Sequence, residues 1–165
     1  MCDSGVLDAA GLRDAGDAAV VAAIGAAARA EAVAAARRLA AVAEFVSRHA
    51  RGDTSRAHWS CDNWDAIAAE VAAAQGISHA MASGQMYQGM ALRERLPKVA
   101  ALFADGAISA RLASAIVWHT DLIKDPEILA LVDATLAADA ARFGPLSVSK
   151  TAQDGAVLVA DFRRG

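Results

Sequence analysis

The chain has little of what strands, disulfide scaffolds and proline-broken loops are built from. Its two cysteines, Cys2 and Cys61, stand apart without a CxxC pairing, which argues against a disulfide framework and points to a reducing cytoplasm. Aromatic residues make up only 5% of the chain and proline occurs three times, so sheet formers are scarce and little interrupts a helix. No large excess of either charge is present. The formal net charge of −3 argues against coating nucleic acid by bulk electrostatics and leaves open only a local basic patch. Met1-Cys2-Asp3-Ser4 is acidic where a signal peptide is basic, so export is not expected. The uncharged run from Ala18 to Ala28 covers only about half of the ~20 residues a bilayer span requires, and Arg29 and Glu31 close it, so no membrane span is expected.

What is abundant is alanine, about a quarter of the chain. Together with the length of 165 residues this predicts an all-α fold. The expected architecture is a multi-helix bundle with a long Ala-rich N-terminal helix, or helical hairpin, and a compact set of shorter helices. Residues 1–50 form the N-terminal segment, where helix former runs almost unbroken from Ala15 to Ala50 apart from Gly16 and Gly25. Val21, Ile24, Ala28, Ala32, Ala35, Leu39, Val42 and Val46 give it one apolar stripe. Alanine supplies little apolar area per residue, so this helix must pack along much of its length, in a hairpin or a dimer seam. The polar stretch Arg51–Arg56 reads as a linker, and its RGD tripeptide is too short a match to carry a function.

Residues 59–152 read as a compact helical domain. Asp62 is expected to cap a helix carrying Trp64, Ile67 and Val71, which Gly76 closes. Ser78 caps the next helix, whose apolar residues include Met81, Tyr87, Met90 and Leu92; Pro97 stops it, and Gly84 and Gly89 mark a kink or a close contact. A short helix over Lys98–Ala104 ends at Asp105-Gly106. Ser109 then caps a helix with Leu112, Ile116 and His119 on its apolar face. Asp125-Pro126-Glu127 opens a helix with Ile128, Leu131, Val132 and Leu136 as its core stripe, stopped at Gly144-Pro145. The three tryptophans, and Met81, Met86 and Met90 with Tyr87 among them, are expected in the core rather than as a stacking or binding surface.

Several separated signatures resemble one family: Trp59-Ser60-Cys61-Asp62-Asn63-Trp64-Asp65-Ala66, Leu96-Pro97-Lys98 through Ile108-Ser109, Ser114-Ala115-Ile116-Val117-Trp118, and Phe143-Gly144-Pro145 through Lys150-Thr151. Over roughly residues 15–152 the chain is similar to the actinobacterial 13E12 repeat family, which carries the domain of unknown function number 222. The resemblance implies a helical domain that in family members continues into an HNH nuclease module with a catalytic metal and paired zinc-binding cysteines. That module is absent from this chain, so no nuclease activity is implied for it. After Gln153 the sequence departs from the family pattern, and residues 153–165 read as the divergent tail of a truncated or frame-shifted copy.

His49, His58, His79 and His119 are scattered without ligand spacing, so no metal and no cofactor is expected. His119 beside Asp121 lacks the nucleophile or third group an acid–base site would need. No small-molecule substrate is indicated, and the chain is expected not to be an enzyme. Arg93, Arg95, Lys98 and Arg111 are the candidate DNA contacts, presented to phosphates by helices on either side of Pro97. Their plainer reading is a solvated basic face. Two further readings stand beside DNA engagement: a helical interaction or oligomerisation protein pairing with itself or an intact family member, and a gene remnant without selected function.

Overall fold

The computed structural model describes residues 9–50 and 60–140. Among these residues there are seven helices and no strand: α1 (Ala9–Asp14), α2 (Asp17–Ala50), α3 (Ser60–Gln75), α4 (His79–Glu94), α5 (Pro97–Ala104), α6 (Ala110–Thr120) and α7 (Pro126–Ala140). The expected linker, Trp59, the stop at Gly144-Pro145 and the tail lie outside the described residues.

The Ala-rich segment is one helix of 34 residues, about 50 Å long at the α-helical rise. Gly25 does not break it. The break falls at Gly16, whose carbonyl accepts from the backbone N–H groups of Ala19 and Val20. The buried stripe of α2 runs Ala32, Ala35, Ala36, Leu39, Val42, Ala43 and Val46, the predicted spacing. Its first part packs with Leu92, Leu96, Phe103, Ile116 and Leu136 from α4 to α7. Val42 and Val46 pack with Ile67, Val71 and Met86 of α3 and α4. Over Asp17–His49, α2 is also long and apolar enough to cross a membrane, a property that the run Ala18–Ala28 alone did not suggest. From Ala32 onward one face of that helix is core.

Small residues set the helix spacings. A Cβ on Gly89 of α4 would stand 2.8 Å from the Leu39 carbonyl oxygen of α2, so these two backbones touch because residue 89 has no side chain. Of the kink or close contact expected at the glycines, the close contact is found at Gly89, while α4 runs unbroken through both. Gly106 has φ +71° and closes α5, with Ala107 N–H bonding back to the Leu102 carbonyl. A Cβ there would also meet the Arg29 carbonyl oxygen at 2.9 Å, so this turn is seated directly on α2.

The capping serines are as expected: Ser78 Oγ accepts from Met81 N–H, and Ser109 Oγ from Leu112 N–H. Asp125 Oδ1 accepts from the N–H groups of Glu127 and Ile128. Other expectations are corrected. Helix α3 starts at Ser60, so Asp62 is inside the helix rather than its cap. Helix α4 already ends at Glu94, and Pro97 opens α5 at the position where its missing N–H costs nothing. On α7 the buried positions are Leu129, Val132, Asp133 and Leu136, while Leu131 is exposed. Trp118 is 77% exposed, not core, and Met81, Tyr87 and His119 are also exposed. Met86 is fully buried and Trp64 half-buried, its indole N–H donating to Ser83 Oγ.

Candidate functional site

The four candidate DNA contacts have different employments. Arg93, on the last turn of α4, donates to Glu44 of α2 at 2.7 Å, and Arg48 donates to the other oxygen of the same carboxylate at 2.8 Å. Hydrogen bonds from Arg48 and then from Arg93 hold the Glu44 carboxyl down at about 2. Arg95 is turned inward across the end of α6. Its guanidinium donates to the carbonyls of Thr120 at 3.0 Å and Ile123 at 2.9 Å and to the Asp121 carboxylate at 3.2 Å. Helix C-termini leave carbonyls without intrahelical partners, and Arg95 satisfies those of α6 from a neighbouring helix. It acts as a tertiary cap. Lys98 and Arg111 are exposed. The structure therefore leaves two of the four side chains pointing outward unengaged and commits two to holding α4 against α2 and α6.

Two carboxylates organise this region: Asp121, which the sequence sets beside His119, and Asp133, on which no expectation rested. Asp121 accepts from the Tyr87 hydroxyl as well as from Arg95. The Tyr87 hydrogen bond, foremost, lowers the Asp121 carboxyl, and the same bond raises the Tyr87 phenol, because ionising the phenol would give up the proton it donates. Asp133, only 2% exposed, accepts from the backbone N–H groups of Lys98 at 2.9 Å and Val99 at 3.0 Å. Leu96, at the N-cap of α5, has no side chain able to cap, so a buried carboxylate of α7 does so from across the core. The signal available in the sequence was an acid on the apolar face of α7, among Leu129, Val132 and Leu136.

Among the described residues no group of three or more His, Cys, Asp and Glu side chains is placed to hold a metal ion. One groove of about 450 Å³ lies between α2, α4 and α5, lined by small apolar faces such as Ala36, Ala40, Ala100 and Ala104. The Glu44–Arg93 pair supplies its only charged lining, and each charge is already answered by the other. The remainder of its lining is apolar.

The larger unanswered surface is on α2. Its apolar stripe is covered from Ala32 onward, but Val21 and Ile24 on the same stripe are 67% and 64% exposed. No residue described from Gly11 to Glu31 is buried. Among the described residues, the N-terminal part of the longest helix thus extends beyond the bundle with its apolar face uncovered. Trp118 on the last turn of α6 and Leu122 just beyond that helix are also exposed apolar side chains.

A helical packing domain with uncovered apolar helix faces is the class this fold and surface define. The chain belongs to the family described as Domain of unknown function (DUF222), which it matches over residues 26–163. It is similar to the Mycobacterium tuberculosis "Uncharacterized protein in est 3'region", 55% identical over 150 residues covering 91% of this chain and 42% of the relative. It is equally similar to "Uncharacterized protein Rv3776" of that organism, at 55% over 150 residues, 91% of this chain and 28% of the relative. "Uncharacterized protein Rv2100" is 52% identical over 134 residues, 81% of this chain and 24% of the relative. The chain spans less than half the length of these relatives. No solved structure matches it.

Proposed function

We propose that this chain is a non-catalytic helical interaction module that binds another helix along the uncovered half of α2. The observation that carries this reading is the stripe itself: one continuous apolar face, buried from Ala32 to Val46 and uncovered at Val21 and Ile24. Apolar surface at regular helical spacing gains free energy when covered, and an incoming helix is the surface that matches its period. In a longer relative, including one that continues into a nuclease module as the resemblance implies, the module would bring chains or domains together and leave chemistry to the remainder. The test is amide hydrogen exchange over residues 17–31. It would be read on the chain when dilute, when concentrated, and when mixed with the part of a mycobacterial relative lying beyond the matched region. Protection in either of the last two conditions supports the reading, and fast exchange in all three abandons it.

DNA engagement is the second reading, supported by Lys98 and Arg111, which project into solvent. Binding to a mixed-sequence duplex whose salt dependence falls on changing both to Ala would carry it, and absence of binding at low salt would end it.

A further inference from the structure

We propose that the occupant of the uncovered half of α2 is the same segment of a second copy, lying antiparallel, with Val21 of each chain against Ile24 of the other. This deepens the interaction reading and rests on it. Asp17, Val21, Ile24 and Ala28 succeed one another at spacings of four, three and four residues, the heptad spacing of a two-helix seam. A two-fold axis crossing α2 between Ala22 and Ala23 sets Val21 level with Ile24 of the second copy, and Asp17 level with its Ala28, beside Arg29. Every residue of the seam is then used twice, as closed two-fold symmetry requires.

Charge selects this direction. The stretch Ala18–Ala28 carries no charge and is bracketed by Asp17 at one end and Arg29 at the other. Antiparallel copies bring opposite charges together at both ends, whereas parallel copies would set Asp17 against Asp17 and Arg29 against Arg29. The Arg29 guanidinium is folded back over Gly25, 3.8 Å from where a Cβ would stand, so it already leans along the seam. Antiparallel helices also align their dipoles favourably. The uncovered length, Asp17 to Ala28, is about 18 Å of helix, a contact at the small end of specific interfaces, so the pair dissociates on dilution.

The experiment is sedimentation equilibrium of the whole chain across a concentration series, repeated on Val21→Asp/Ile24→Asp, Arg29→Glu, and Arg29→Glu with Asp17→Lys. Wild type is expected to move reversibly from one copy to two. The double aspartate variant should weaken pairing about 100-fold or more, with helix content and melting midpoint retained because its substitutions lie outside the core. Arg29→Glu should weaken pairing about threefold to tenfold, and the added Asp17→Lys should restore it, which only the antiparallel direction permits. A wild type that stays monomeric, a dimer that survives the double aspartate variant, or a charge reversal without rescue overturns the proposal. A monomer that instead partitions onto vesicles of neutral phospholipid would reassign the face to a membrane surface. A monomer whose residues 17–31 are protected by the added part of a longer relative would overturn self-pairing and leave the interaction reading standing.

Discussion

Two glycines of one helix, five residues apart, should respond to the same substitution with opposite sign. In α4 both Gly84 and Gly89 sit in helical backbone, where Ala is favoured over Gly by about 1 kcal/mol. A Cβ at Gly84 meets nothing within 4 Å, so Gly84→Ala should realise that preference and stabilise the fold by about 0.5–1 kcal/mol. A Cβ at Gly89 would stand 2.8 Å from the Leu39 carbonyl oxygen and 3.3 Å from the Ala43 Cβ. The nearest obstacle is backbone of the core half of α2 and cannot swing aside as a side chain would. Gly89→Ala must therefore part α2 from α4, and overpacking of this kind costs about 1–3 kcal/mol, which outweighs the gain in helix propensity. Urea unfolding followed by helical dichroism gives both numbers from the midpoints if the slopes are unchanged. Two shifts of the same sign would refute the reasoning, because they would mean that propensity alone, and not the closeness of α2, decides the outcome.

Three further results are expected. Asp133→Ala removes the acceptor for two N–H groups at the start of α5 and should destabilise by about 3 kcal/mol in thermal or urea melts, with Asp133→Asn milder because one acceptor oxygen remains; a loss below about 1 kcal/mol would deny the cap. Glu44 is held at about 2 in the fold against 4.5 unpaired, so its contribution to stability is present above the unfolded value and is lost as pH falls from there through the folded value. Glu44→Gln should accordingly flatten the fall in melting midpoint between about pH 5 and pH 2, and an unchanged slope would show the arginine pairs to be unimportant. Tyr87 is the chain's single tyrosine, so its phenolate absorbance can be titrated without overlap from another. It should ionise above the usual 10 and return toward it in Asp121→Asn, and an identical titration in both proteins would exclude the Tyr87–Asp121 bond.

Much of the fold was legible because it is local. Alanine content, the heptad-like stripe of α2 and the caps at Ser78, Ser109 and Asp125 act over one or two turns, and each stands in the structure where its spacing placed it. The candidate site was less legible. Arg93 and Arg95 look alike at the end of α4, yet one meets Glu44 on α2 and the other spans the end of α6, across separations of 49 and 26 residues. Trp118 reads as core because it is a large aromatic residue at helical spacing, but burial depends on which side of α6 the rest of the bundle lies, and that side holds Ala113, Ile116 and Val117.

Helix, cap and stripe follow from the residues in order, since backbone hydrogen bonds and side-chain periodicity are settled within a few residues of each position. Which end of the α2 stripe is covered, which arginine is engaged, and that a buried aspartate should cap a helix across the core were decided only when the helices packed. Those outcomes depend on the distance between backbones, which Gly89 and Gly106 set by leaving room for α2. The same packing covers Ala32 to Val46 and leaves Val21 and Ile24 exposed, because the shorter helices flank only the C-terminal part of a helix about 50 Å long.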